Sequence, residues 1–357
     1  MSIVKYDRFY PGKEWLDTEG KRIHAHGGSI IRVEDKYYWY GENKEFTDGE
    51  NGNWHYGVRM YESEDLYNWK DLGNVIPPDE KDVTSPFHPT AKMDRPHILY
   101  NAQTKKYVCW VKVMRENGTQ VSTILTADQV TGPYTIVKQD LRPLSFNAGD
   151  FDLVSASDGK AYYYFERVHS ETICADLTDD YTDVTGYYTT HFPHHEGVPY
   201  VREATAHFMR KGKHYLITSG TTGYLPNPSE AAVGDTWHGP FTVLGNPHVD
   251  DPSDTSFHSQ ISSVYKVPGK KDLYIALADR WLPDMMELEY SVYERLFKVM
   301  FGEEYSREEK LAAMYEAKGM SGPENTSMAD YVWLPIVFED NVPKIRWYDE
   351  WRIEDFE

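Results

Sequence analysis

The run Ser29-Ile30-Ile31-Arg32-Val33, Glu34-Asp35-Lys36, Tyr37-Tyr38-Trp39-Tyr40 reads as two short strands around a polar turn. β-Branched and aromatic residues fill the flanks, and charged residues fill the centre. The same design recurs four times. Leu99-Tyr100 and Tyr107–Val111 flank a turn over 101–106, and Leu153–Ser155 and Ala161–Phe165 flank Ser157-Asp158-Gly159-Lys160. His207–Met209 and His214–Ile217 flank Arg210-Lys211-Gly212-Lys213, and Ser263–Tyr265 and Leu273–Leu277 flank a loop over 266–271. Each is a hairpin pattern.

A weaker repeat follows the hairpins: a small residue, an Asp, then Gly-Pro or an aromatic. Its copies are Ser63-Glu64-Asp65 leading to Trp69, Thr126-Ala127-Asp128 to Gly132-Pro133, Ala175-Asp176-Leu177, and Gly234-Asp235 to Gly239-Pro240. Successive copies lie roughly 50–60 residues apart, the spacing of propeller blades. Five blades of about 55 residues fit the 357-residue chain. The expectation is an all-β, five-bladed β-propeller forming one domain over 1–357.

Residues 284–318 break the pattern. Apolar residues recur at three and four, and Ser306 with Glu309 forms a capping-box signature. Two short helices inserted in the last blade are expected, either as surface decoration or as a lid or dimer contact. Tyr331–Phe338 then resumes strand character, and the reading has it close the ring.

Lys and Arg number 37 against 57 Asp and Glu, a net charge of −20. That balance argues against nucleic acid and anionic membrane as partners, since both reward clustered Lys and Arg. It suits a neutral polar ligand. Aromatics make up 15% of the chain, with 28 Tyr and 10 Trp, which serves both half-buried strands and stacking on sugar faces. Cys109 and Cys174 each sit inside an apolar strand-like run and read as reduced core thiols. Met1–Asp7 has no apolar core, and no window approaches 18 apolar residues. No signal peptide and no membrane span are therefore expected, and a cytoplasmic protein, unless an export signal has been trimmed from the sequence.

A propeller gathers the starts of its innermost strands around one axis. The polar residues at those positions are His26 with Glu42, Asp94, Asp150 with Asp152, Glu203 and Gln260. Glu203 lies between an aromatic, His-rich run and a strand that leads to a Gly/Pro/Asn turn, as a carboxylic acid set on the floor of a polar pocket. One placed acid is half of a glycosidase. Two other groupings carry less. In His194-His195-Glu196 adjacent side chains of a strand point to opposite faces, which disfavours a metal. Asp250-Asp251-Pro252-Ser253-Asp254 lacks the spacing and glycine of a calcium-binding EF-hand loop. No motif calls for a cofactor, and a structural calcium or sodium ion on the axis is left open.

The sequence resembles glycoside hydrolase family 43, and more narrowly its exo-β-1,3-galactanase branch. The resemblance is carried, in family order over 23–351, by His24-Ala25-His26-Gly27-Gly28 with Tyr38-Trp39-Tyr40-Gly41-Glu42, by Asp94-Arg95-Pro96-His97, and by Arg202-Glu203-Ala204. Thr218–Gly223 with Pro226-Asn227, Ser259-Gln260 and Tyr331–Pro335 complete it. It implies a five-bladed propeller that cleaves plant-type polysaccharides with inversion. It places Glu203 as general acid and Asp150 as the aspartate that tunes it, with Asp152 the weaker candidate for that role. The first-strand aspartate that serves most of the family as general base is absent here, as it is in the galactanase branch. There the residue matching Gln260 stands in, as an amide tautomer or by orienting water. Asp94 stands where the galactanase branch usually has Glu, one methylene longer.

The expected chemistry is proton donation from Glu203 to the glycosidic oxygen and attack by water positioned by Gln260 and Asp94. Acid and base groups roughly 6.5–9.5 Å apart admit that water. Glu42, Asp150 and Asn227 are candidate hydroxyl-binding residues, with His26 and Asp152 beside them, and Tyr224 and Trp54 are candidate stacking platforms. The substrate expected is an oligo- or polysaccharide, β-1,3-galactan or arabinogalactan side chains. An arabinofuranoside or galactofuranoside, and a catalytically silent sugar-binding propeller, are the alternatives.

Overall fold

The computed structural model describes residues 5–193 and 202–357, so the His194-His195-Glu196 run and Val201 lie outside the described residues. Five antiparallel sheets follow one another along the chain. The first comprises His26–Val33, Lys36–Glu42, Val58–Ser63 and Lys70–Ile76, and the second Lys92–Asn101, Lys106–Met114, Gln120–Ala127 and Thr135–Leu141. The third comprises Ala148–Ser155, Ala161–Arg167, Glu171–Leu177 and Val184–His191, and the fourth Arg202–Arg210, Lys213–Gly220, Glu230–Gly234 and Phe241–Gly245. The fifth is built on Gln260–Lys266, Tyr274–Arg280, Leu334–Glu339 and Val342–Arg346. His248–Val249 pairs in parallel with its outer edge, and Asp330–Tyr331 pairs with Arg280 and Asp279. Each sheet runs outward from its first strand, and each first strand packs beside the next, the fifth beside the first. The result is a five-bladed β-propeller.

All five sequence hairpins are the inner two strands of a blade. The weaker repeat marks the end of the third strand and the turn into the fourth, where Asp65 accepts from the backbone of Tyr67 and Asn68. The apolar core is divided among the five gaps between blades. Met60 and Tyr40 of the first blade meet Cys109 and Val111 of the second. Trp110 of the second meets Phe151 and Tyr163 of the third, and Cys174 of the third meets Leu216 of the fourth. Phe208 and Ile217 of the fourth meet Tyr274 of the fifth. Because apolar burial is satisfied between blades, the axis itself is left to polar groups. Both cysteines are buried and free.

The ring closes differently from the sequence reading. Leu334–Glu339 is the third strand of the fifth blade, not the closing one. Closure comes from the inner strands of the first and fifth blades, where Ser29 Oγ lies 2.6 Å from Ser263 Oγ. A cluster of Phe9, Trp39, Trp69, Trp333 and Trp351 fills the gap between these two blades.

The insertion forms two helices, α1 (Tyr290–Phe301) and α2 (Arg307–Ser321). The capping box forms as the sequence indicates: Glu309 N donates to Ser306 Oγ at 3.3 Å, and Ser306 N donates to Glu309 Oε2 at 2.8 Å. Tyr293, Leu296 and Phe297 of α1 pack against Ala313 and Ala317 of α2 and against Leu225 from the fourth blade. Among the described residues no helix is long and apolar enough to cross a membrane.

Candidate active site

Every inner strand is irregular near its start. Register breaks fall between His26 and Ser29, Asp94 and His97, Ala148 and Phe151, Glu203 and Ala206, and Ile261 and Ser263. Such bulges bend the strand and re-aim side chains. Here they sit where the five strands converge. Gly27, Arg95 and Ala204 take positive φ of 62°, 55° and 47° within them. The cross-strand partners form a second ring: Glu42 opposite His26, Lys112 opposite Asp94, Ser219 opposite Glu203 and Asp279 opposite Gln260.

A cavity of about 310 Å³ opens above this ring, lined by Glu42, Asp94, Asp150, Glu203, Gln260 and the rings of Trp54, Tyr224 and Trp281, among others. Arg95 lies at its base. Its guanidinium donates to Asp150 Oδ2 at 2.9 Å and to Gln260 Oε1, and its backbone N donates to Glu42 Oε1 at 3.0 Å. Lys112 Nζ bridges Asp150 Oδ1 at 2.8 Å and Asp94 Oδ2 at 3.0 Å. Trp54 Nε1 donates to Asp94 Oδ1 at 2.5 Å. Lys44 is fully buried; its Nζ lies 2.8 Å from Glu42 Oε2 and 2.7 Å from Trp54 O. It stands 5.0 Å from the Trp54 ring centre and 5.9 Å from that of Trp281.

These partners sort the carboxyls. Burial works to raise Asp150, but Arg95 and Lys112 override it and hold the group down at about 2. Burial likewise opposes ionisation of Asp94, and Lys112 and Lys44 keep it below the usual carboxylate range. Glu203 is half-buried and its described contacts include no ion pair. Burial, and then the negative charges of Asp150 and Glu166, push it well above the usual range. Two carboxyls that line one cavity are thus pushed in opposite directions, the pattern by which a site separates an acid from an ionised neighbour. Burial also lifts Glu42 to about 7 in spite of Lys44.

The sequence matches the family model "Glycosyl hydrolases family 43" over residues 23–280. The chain belongs to this family. Family 43 proteins are O-glycosyl hydrolases of inverting mechanism. Among solved structures, a family 43 β-1,3-galactosidase, BT0265, matches with 28% identity and a TM-score of 0.78 over 99% of this chain; this chain covers 65% of that longer one. A second family 43 β-1,3-galactosidase, BT3683, in complex with galactodeoxynojirimycin, matches with 26% identity and a TM-score of 0.75, covering 97% of this chain and all of that one. An exo-β-1,3-galactanase from Phanerochaete chrysosporium shares the fold at 22% identity and a TM-score of 0.75, covering 97% of this chain and 68% of that one. No curated protein matches the sequence significantly.

In this family 43 propeller seven of the ten residues singled out from sequence line the cavity: Glu203, Asp150, Gln260, Asp94, Glu42, Tyr224 and Trp54. Three do not. His26 is fully buried, turned by the Gly27-Gly28 bulge towards the fifth blade. There its Nδ1 lies 3.0 Å from Asp279 Oδ1, and its ring stacks on Tyr331 at 4.7 Å. Asp152 is two residues deeper along its strand than Asp150, about 6–7 Å down the axis. It accepts from His207 N at 2.8 Å, and burial raises it to about 7. Asn227 holds the 220–227 loop by accepting from Gly220 N at 2.7 Å and donating to Gly220 O at 3.0 Å. These three are struts beneath or beside the cavity.

Sequence reasoning passed over Arg95, Lys112, Lys44 and Trp281 as site residues. Arg95 lay within a quoted motif, and Lys112 is the cross-strand partner of Asp94, so hairpin pairing alone would have pointed to it. Lys44 and Trp281 arrive from loops of the first and fifth blades and have no local signature. Among the described residues no three His, Cys, Asp or Glu are grouped to hold a metal ion.

Proposed function

We propose that the enzyme removes terminal β-1,3-linked galactose from galactan or arabinogalactan chains. The observation that carries the reading is a half-buried acid, Glu203, which lines a cavity walled by three aromatic rings together with Asp150, itself ion-paired to Arg95 and Lys112; burial and the charge of Asp150 raise the proton affinity of Glu203. Two structural neighbours above 25% identity, both described as β-1,3-galactosidases, support the glycone.

Glu203 donates its proton to the glycosidic oxygen as the bond to the anomeric carbon breaks. Asp150 receives no proton; its charge keeps Glu203 loaded. Water attacks the opposite face of the sugar. Gln260 Oε1 already accepts from Arg95 and, at 3.3 Å, from Trp281 Nε1, and its Nε2 donates to Ser219 Oγ at 2.8 Å. The amide is therefore a fixed donor with one N–H to spare, fit to hold the water by its oxygen. The proton that water loses goes to Asp94, the ionised carboxylate on the Trp54 side. Leaving sugar and inverted sugar each gain one hydroxyl, and the cycle closes when Asp94 gives its proton to solvent and Glu203 takes one back.

The shorter Asp94, in place of a glutamate, favours a second reading in which the glycone is a furanose. A panel of β-1,3-galactobiose, arabinofuranosides and galactofuranosides, with product configuration followed by NMR, decides between them. Release of galactose first as the α-anomer supports the proposal, and cleavage of furanosides alone overturns it. Glu203→Gln is expected to lower kcat on the active substrate by about 10²–10⁴-fold. Unchanged turnover would remove Glu203 from the role of acid.

A further inference from the structure

The helical insertion reaches the cavity through a residue that the chemistry above does not use. Glu324 lies in the segment that returns from α2 to the fifth blade and lines the cavity together with Trp54 and Tyr224. Burial and the charges of Asp94, Glu42 and Glu324 raise the Tyr224 phenol, which places Glu324 within electrostatic reach of that ring.

The segment is clasped to the loop that carries Trp54. The hydroxyls of Thr47 and Thr326, both buried, are 2.8 Å apart, and Ser327 N donates to Thr47 O at 3.1 Å. Gly49 has φ +81°, and a Cβ there would come 2.7 Å from Glu324 N, so the two backbones touch at a glycine. On its other side the insertion holds the loop that carries Tyr224. Tyr293 OH of α1 donates to Pro226 O, and Leu225 is buried among the α1 side chains. The insertion therefore joins the loops that bear Trp54 and Tyr224, two of the three aromatic walls. Ser321 Oγ donates to Glu324 Oε1 at 3.1 Å and orients the carboxylate. Oε2 has no protein donor among the described residues.

A carboxylate oriented beside two rings accepts sugar hydroxyls strongly while the rings cover the apolar face of the sugar. We propose that Glu324 is a substrate-binding residue, delivered by the insertion, that accepts hydroxyls of a neutral sugar at the cavity rim and repels a uronate in the same place. The proposal rests on the cavity being a sugar site.

The test is calorimetric binding of β-1,3-galactobiose, an arabinofuranobiose and galacturonate to wild type, Glu324→Gln, Glu324→Ala and Gly49→Ala, with KM and kcat measured on whichever neutral sugar is cleaved. Both Glu324 variants are expected to weaken the neutral sugar about tenfold, as loss of hydrogen bonds to a charged group does. KM should rise in step and kcat stay within about threefold, since interactions common to ground and transition states act on KM alone. Galacturonate should bind Glu324→Gln more tightly than wild type. Gly49→Ala, which retains the carboxylate and displaces its segment, should reproduce the rise in KM. Neutral-sugar binding by Glu324→Gln within twofold of wild type overturns this inference alone. Failure of wild type to bind any sugar of the panel overturns both it and the reading of the cavity.

Discussion

At the scale of single residues, the site is a charge balance. Arg95, Lys112 and Lys44 supply three buried or half-buried cations, and Glu42, Asp94 and Asp150 are the carboxyls they contact. Glu203 contacts none of the three cations among the described residues. Ionising it would add a negative charge to a site whose three cations already have partners, and burial works in the same direction. This makes the pH profile a probe of Asp150. The basic limb of kcat/KM reports loss of the proton from the free enzyme's acid. Asp150→Asn removes a neighbouring anion and releases Arg95 and Lys112 from their partner, so both changes favour ionised Glu203. The limb is expected to move to lower pH, by about one unit or more. A limb that stays in place or moves upward would show that Asp150 does not set the acid's proton affinity.

At the scale of elements, the decisive feature is the bulge at the head of each inner strand. In the first blade it is made by two glycines that let strands approach more closely than side chains permit. A Cβ on Gly28 would come 1.9 Å from Tyr40 O, and one on Gly41 2.1 Å from Ala25 C. Both contacts are with backbone, which has no rotamer by which to yield. Gly41→Ala is expected to cost about 2–3 kcal/mol, in the range of overpacking, and to lower activity by displacing Glu42 next to it. Denaturant unfolding with the midpoint followed by Tyr and Trp fluorescence measures it; a loss under 0.5 kcal/mol would mean that the strands can part freely. The hairpins, the turns after the third strands and the Ser306 capping box were legible from sequence because each is decided within a few residues. The position of His26 was not. Its strand register points it to the axis, and only the bulge, together with Asp279 and Tyr331 from more than 250 residues away, turns it aside.

At the scale of the whole molecule, the propeller is a ring that must be closed, and the chain does so by packing the first blade on the fifth over an aromatic cluster rather than by lending a strand from one terminus to the other blade. Phe9 and Trp351 form an isolated antiparallel bridge, and their rings stack at 4.4 Å. Trp351 is buried, and its Nε1 donates to Trp333 O at 2.8 Å. This too was hidden from the sequence, because an aromatic near either end carries no local sign of its partner. The repeated hairpins and their spacing pointed to five blades, yet the closure depends on contacts between residues some 300 positions apart. The site is held by other residues: its carboxyls contact Arg95, Lys112 and Lys44, none of which touches Trp351 in the described contacts. Stability and chemistry should therefore separate. Trp351→Ala is expected to cost about 3–5 kcal/mol, through lost burial and the cavity left behind. At temperatures where the variant remains folded, its kcat/KM should stay within about twofold of wild type, since distant sites add independently. Thermal unfolding and initial rates on the same preparation measure both. A variant as stable as wild type would show that closure does not rest on this cluster, and a stable but inactive one would show that the ring's seam and its catalytic mouth are coupled.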